Sequence, residues 1–220
     1  MPRKANGEQM ITAYCSVATN KTNLKILSRW PWRYLLSTAM PGSVSRYHRN
    51  KDFLGYAIDN GAYADHVNDR PFQADNFMKI VKTWGSDADW IVIPDSIGNA
   101  QETIQLAKKW IGRIPYKKMI CVQDGMLASD LKPYSDQIEG VFIGGTTDWK
   151  IKSMPYWSKW AKRNGKLCHV GRVNTTKRLQ MCIDFKCTSF DGSGMARFAD
   201  TAIKITNHLL LVKNQIKLPF

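Results

Sequence analysis

Six apolar runs in this chain end on residues able to do chemistry. Asp59-Asn60-Gly61-Ala62-Tyr63 follows the run that ends at Ile58, and Asp95-Ser96 follows Ile91–Pro94. Gln123-Asp124-Gly125 follows Ile120–Val122, and Gly144-Gly145-Thr146-Thr147-Asp148 follows Val141–Ile143. Gly171-Arg172 follows His169-Val170, and Asp191-Gly192-Ser193-Gly194 follows Ser189-Phe190. One aspartate after an apolar run is ordinarily a turn or cap residue. Asp59, Asp95 and Asp191 gathered at one site would instead act as an acid/base pair, as nucleophile plus base, or as metal ligands. Gly144-Gly145 removes side chains, so a flat ligand can approach backbone N–H and C=O groups. A phosphate cradle is the rival use, but GxxxxGK[ST] is absent. His169, inside an apolar run, reads as a hydrogen-bonded core or supporting histidine. There is no HExxH and no Cys/His cluster, so no metal is expected. The five cysteines are odd in number and form no CxxC, which points to buried free thiols in a reducing, cytoplasmic compartment.

For these run ends to meet, the runs must lie parallel in one sheet. The candidate strands are Thr12–Ala18, Tyr34–Ser37, Leu54–Ile58, Trp90–Ile93, Met119–Val122, Gly140–Ile143, Leu167–Val170 and Thr188–Phe190. They are rich in Val, Ile and aromatic residues and lack helical periodicity, as strands buried on both faces do. Between them lie helical stretches at Thr22–Arg29, Ser43–Lys51, Phe72–Trp84, Ala100–Ile111 (capped by Asn99), Leu127–Gln137, Met154–Arg163, Thr175–Ile183 and Ala196–Val212. Eight alternating pairs predict an α/β fold, a single compact (β/α)8 TIM-type barrel over residues 1–220, with an open doubly wound sheet as the alternative. In a barrel, the strand C-terminal ends form the active face. Residues 1–10 and 214–220 are expected to be loose.

The 220 residues carry 32 Lys+Arg against 18 Asp+Glu, a net charge of +14. That suits a polyanionic partner and excludes an acidic disordered chain. No apolar run approaches a membrane span of about 18 residues, and the first ten residues lack the apolar core of a secretory signal. The charge is uneven: net +8 over residues 1–51, −5 over 52–148 and +11 over 149–220. In a closed barrel the first and last strands are neighbours, so the two basic ends would meet around Asp191. Arg172, Lys150, Lys152, Lys177 and Arg178, near or after strand ends, are candidate phosphate contacts, and Trp149 and Trp157 candidate base-stacking residues.

The order of the strand ends resembles the tRNA-guanine transglycosylase superfamily. Asp59-Asn60-Gly61-Ala62-Tyr63 is similar to its Asp-Ser-Gly-Gly-aromatic segment. Asp95 falls at its base-recognising aspartate, and Val122-Gln123-Asp124-Gly125 is similar to its Val-Gln-Gly segment. Val141–Gly145 resembles its Gly-Gly strand end, Val170-Gly171 the next strand end, and Phe190-Asp191 its nucleophile position. Val17–Thr22 is similar to its first strand and turn. The family's Cys-rich zinc insertion has no counterpart here, since 29 residues follow Asp191 and none is Cys. A short, zinc-less version resembles the phage-type 7-deazaguanine DNA transglycosylases. The resemblance implies replacement of guanine in DNA by a free 7-deazaguanine base such as preQ0, protecting phage DNA from restriction. It implies Asp191 as nucleophile, Asp59 as proton shuttle, and Asp95, Ser96, Gln123, Gly144, Gly145, Tyr63 and Val170 around the base. It implies a flipped or single-stranded DNA partner, no cofactor and no membrane. The alternatives are a tRNA-guanine transglycosylase lacking the zinc module and a non-catalytic nucleic-acid-binding barrel.

Overall fold

The strands pair because each is apolar on both faces and can be covered on both. In the computed structural model, which describes residues 10–16, 21–40, 42–49 and 53–215, eight of them run parallel. They are β1 (Thr12–Cys15), β2 (Arg33–Ser37), β3 (Tyr56–Asp59), β4 (Ile91–Val92), β5 (Lys118–Val122), β6 (Gly140–Ile143), β7 (Leu167–Val170) and β8 (Ser189–Gly192). Each pairs with the next, and β8 pairs with β1 through Tyr14↔Asp191 and Cys15↔Gly192, closing the barrel. The first and last strands are therefore neighbours, as closure requires.

The outer ring comprises α1 (Lys21–Leu27), α2 (Ser43–Arg49), α3 (Ala62–Val67), α4 (Ala74–Trp84), α5 (Ala100–Trp110), α6 (Ala128–Leu131), α7 (Thr147–Arg163), α8 (Thr176–Asp184), α9 (Gly194–Arg197) and α10 (Ala199–Gln215). Asn99 caps α5 as expected, its side chain accepting from Glu102 N–H at 3.1 Å. Three features differ from the sequence reading. The short α3 follows β3 directly. α7 begins at Thr147 rather than Met154, because Lys150 points into the protein and breaks the apolar period. The last helix divides at Phe198, whose extended backbone separates α9 from α10. Asn214 and Gln215 lie within α10. The Val17–Asn20 part of the first motif lies outside the described residues, as do 1–9 and 216–220.

Alternate strand residues divide two cores. Those facing outward, with the helices, form the large one, including Ala13, Leu36, Ile58, Ile91, Val141 and Val170. Those facing inward fill the barrel: Tyr14, Leu35, Ala57, Trp90, Val92, Met119 and Cys121. Tyr14, Trp90, Phe142 and His169 form an aromatic layer across its middle, with ring centroids 4.6–5.1 Å apart along that path. At the N-terminal end Arg33 binds Asp89 through Nε and Nη2, and Tyr14 OH donates to Asp89 at 2.9 Å. All five cysteines are free and buried. No helix among the described residues is long and apolar enough to cross a membrane.

Candidate active site

Asp59 is the last residue of β3, Asp95 lies just beyond β4, and Asp191 is in β8. The barrel brings all three to its C-terminal mouth, close enough for Asp191 and Asp95 both to act on Asp59. Each is held differently. Asp59 accepts from Gly61 N–H at 3.2 Å and keeps a narrow edge toward solvent. Burial, then the charges of Asp191 and Asp95, push its carboxyl up to about 7. Gly61 has φ 82, and a Cβ there would stand 2.7 Å from Ala39 Cβ, so the turn that presents Asp59 needs glycine.

Asp191 is buried and accepts from His169 Nε2 at 3.0 Å and from Arg172 N–H at 3.3 Å. His169 Nδ1 faces Ser189 Oγ at 2.9 Å. The β7–β8 register puts His169 opposite Ser189, which aligns the chain of groups. Burial lowers the His169 pKa despite the neighbouring Asp191, so the ring is neutral. Nε2–H then donates to Asp191 while Nδ1 accepts from the serine hydroxyl. The supporting role expected of His169 matches this geometry.

Asp95 accepts from Asn60 Nδ2 at 2.6 Å and from Gln123 Nε2. Burial raises its carboxyl, and bonds from Asn60, Cys121 and Gln123 oppose the rise. Asn60 also donates to the Ile93 carbonyl, and Gln123 Oε1 accepts from Gly98 N–H at 2.9 Å. Gln123 is thus spent on fixing Asp95 rather than presented to a ligand. Gly144 makes room for it: a Cβ there would lie 2.4 Å from Cys121 Sγ and 2.8 Å from Gln123 Nε2.

Other residues selected from the sequence take varied positions. Tyr63 is 45% exposed on the mouth, with the Arg172 guanidinium 4.3 Å over its ring. Arg172 has φ 60 and donates to the Gly145 carbonyl, so its side chain folds across the mouth. Lys150 is only 4% exposed and donates to the Gly171 carbonyl at 2.5 Å, so it is buried rather than presented at the surface as a phosphate contact. Its burial, with Arg172 nearby, lowers its pKa to about 8. Val170 packs into the outer core, and Ser96 donates to Glu102 at 2.6 Å. Trp157 is fully buried and so offers no stacking face, and Trp149 is partly buried, packed on the core beside Gly145. Lys152 and Lys177 are exposed and Arg178 partly so. Asn60 and Cys121 were not selected from the sequence. Asn60 stood next to a selected aspartate, but nothing in the sequence linked it to Asp95. Among the described residues no group of three or more His, Cys, Asp or Glu is placed to hold a metal ion.

No family model matches this chain, and no curated protein matches it. Solved structures do. Dihydrodipicolinate synthase from Bacillus clausii is 9% identical with a TM-score of 0.56, covering 93% of this chain and 76% of that one. KGPDC from Streptococcus mutans is 11% identical with a TM-score of 0.54, covering 93% and 99%. 3-Keto-L-gulonate-6-phosphate decarboxylase from Vibrio cholerae is 15% identical with a TM-score of 0.51, covering 96% and 100%. At such identities the likeness is one of fold. The chain is a TIM barrel. Its expected membership of the tRNA-guanine transglycosylase superfamily is overturned, because the similar structures are a synthase and decarboxylases and no sequence relationship supports it. The motifs that suggested it are what many barrels place at their strand ends: carboxylates, and glycines that let the chain turn. The fold is shared with enzymes of several reaction classes, and by itself it assigns this chain no reaction.

Proposed function

We propose that the barrel mouth catalyses base exchange at the N-glycosidic bond of a guanine nucleotide in DNA, making the protein a pentosyltransferase. The observation that carries this reading is the pair of carboxylates with divided environments: Asp191 bonded by His169 and Arg172 N–H, and Asp59 pushed up to about 7. Such a division separates nucleophile from acid/base. Asp191 attacks the anomeric carbon as the bond to guanine breaks, and Asp59 gives its proton to the departing base. Asp59 then takes the N9 proton of the incoming base, whose nitrogen displaces Asp191 and restores the original configuration. Asp95, its remaining acceptor capacity directed by Asn60 and Gln123, suits the N1–H and amino edge of guanine. The entering base must carry that same edge, as 7-deazaguanines such as preQ0 do.

A base read this way must leave its stack, so the DNA is single-stranded or flips the base out. The net charge of +14 suits its phosphates. Lys177 and Arg178 sit in the first turn of α8, whose amide dipoles also favour phosphate. Exposed Tyr63, Leu127 and Phe198 offer apolar surface on loops and helix starts that follow the strand ends.

The test is incubation with labelled guanine or preQ0 and either a guanine-containing oligodeoxynucleotide or tRNA. Label should enter DNA, and Asp191→Ala and Asp59→Asn should each abolish entry. A DNA adduct stable to denaturation should form with wild type and vanish with Asp191→Ala. Label in tRNA alone would overturn the DNA substrate, and no label in either would overturn base exchange.

A further inference from the structure

A cavity of about 610 Å³ lies at the other end of the barrel from the carboxylates. It opens between the starts of β7 and β8 and the C-terminal portions of α7, α8 and α10. Its walls are largely apolar, with Trp30, Leu167, Ile183, Leu209 and Val212 contributing. Lys162, Lys166, Lys186 and Lys213 also line it, and no carboxylate does among the described residues. Lys166 donates to the Ile138 carbonyl at 2.8 Å, and Lys213 Nζ lies 6.0 Å from the Trp30 ring centroid. None of the four forms an ion pair among the described residues. Helix C-termini attract cations, which explains a lysine at each helix end. It does not explain an apolar well of ligand size between them, and about 300–1,000 Å³ is the usual size of small-molecule sites.

We propose that this cavity binds a single-chain carboxylate amphiphile. The chain lies in the apolar well, and the carboxylate sits among Lys162, Lys186 and Lys213. Burying the chain supplies affinity, and the amines select for an anionic head. The site shares no residue with the mouth, so this inference is independent of the base-exchange reading.

The experiment uses the fluorescent anionic dye 8-anilinonaphthalene-1-sulfonate on the folded, full-length protein. Binding should be saturable at one site, and decanoate should displace the dye where decyltrimethylammonium does not. Leu209→Trp, which fills the well, should abolish binding. Because that variant can fail to fold, the surface variant K162Q/K186Q/K213Q provides a second test, with decanoate affinity expected to fall by about tenfold or more. Equal displacement by the cationic amphiphile, unchanged affinity in the lysine variant, or binding only to anionic phospholipid vesicles would overturn the proposal.

Discussion

Replacing Asp59 with Asn should flatten part of the protein's pH dependence of stability. Burial and the charges of Asp191 and Asp95 hold the folded Asp59 carboxyl at about 7, whereas an unfolded aspartate titrates near about 3.9. Between those values the folded chain keeps a proton that the unfolded chain has released. The stabilisation from that proton is complete below about pH 4 and is lost as pH rises through about 7. A span of about 3 in pH corresponds to about 4 kcal/mol. The edge of Asp59 that stays in water lowers the expected effect to about 1–3 kcal/mol. Asn has the same shape and does not ionise. Relative to wild type, Asp59→Asn should therefore be near neutral at pH 4 and more stable by that amount at pH 9. Urea unfolding of both proteins at both pH values isolates the difference, because titrating groups that do not interact with Asp59 cancel. A double difference below about 0.5 kcal/mol, within the range of an ordinary surface substitution, or one of opposite sign, would refute the electrostatic account of the mouth.

Gly144→Ala should destabilise by about 1–3 kcal/mol in the same assay, because its Cβ would stand 2.4 Å from Cys121 Sγ in a packed site. It should also weaken any ligand held by Asp95, since Gln123 must move. His169→Gln should reduce the acid sensitivity of the fold. The His169 pKa is lowered by burial, so its contribution is present above the unfolded value of about 6.5 and is lost as pH falls through the folded one. Wild type should lose more stability than the variant between pH 7 and pH 5, and equal losses would show that the ring is not held neutral.

The barrel was readable because its strands are buried on both faces and so stand out as continuous apolar runs, each followed by a turn. Gly140–Ile143 and Leu167–Val170 appear with the same limits in sequence and structure. The start of α7 was hidden because an inward lysine looks like a solvent-facing one until its partner, the Gly171 carbonyl, is known. The same applies within the site. Asp59, Asp95 and Asp191 could be picked out because each ends a run, and position along a parallel strand sets height in the barrel. The bonds that give them different characters cross between strands: Asn60 to Asp95, and His169 to Asp191. No spacing along the chain encodes them. The mistaken family assignment has a related cause. Strand-end aspartates and glycines arise from the architecture, so their order can recur without kinship.

Arg33, Asp89 and Tyr14 close the lower end of the barrel beneath the aromatic layer. The interior is therefore a cup and not a tube. Whatever reaches the three carboxylates must come and go through the same doorway, beneath the arm of Arg172. For the base exchange proposed above, traffic through one doorway is single file: the outgoing base has to clear the cup before its replacement can settle. In that reaction each base would be, by geometry, an obstacle to the other, and an excess of either should slow turnover of its counterpart.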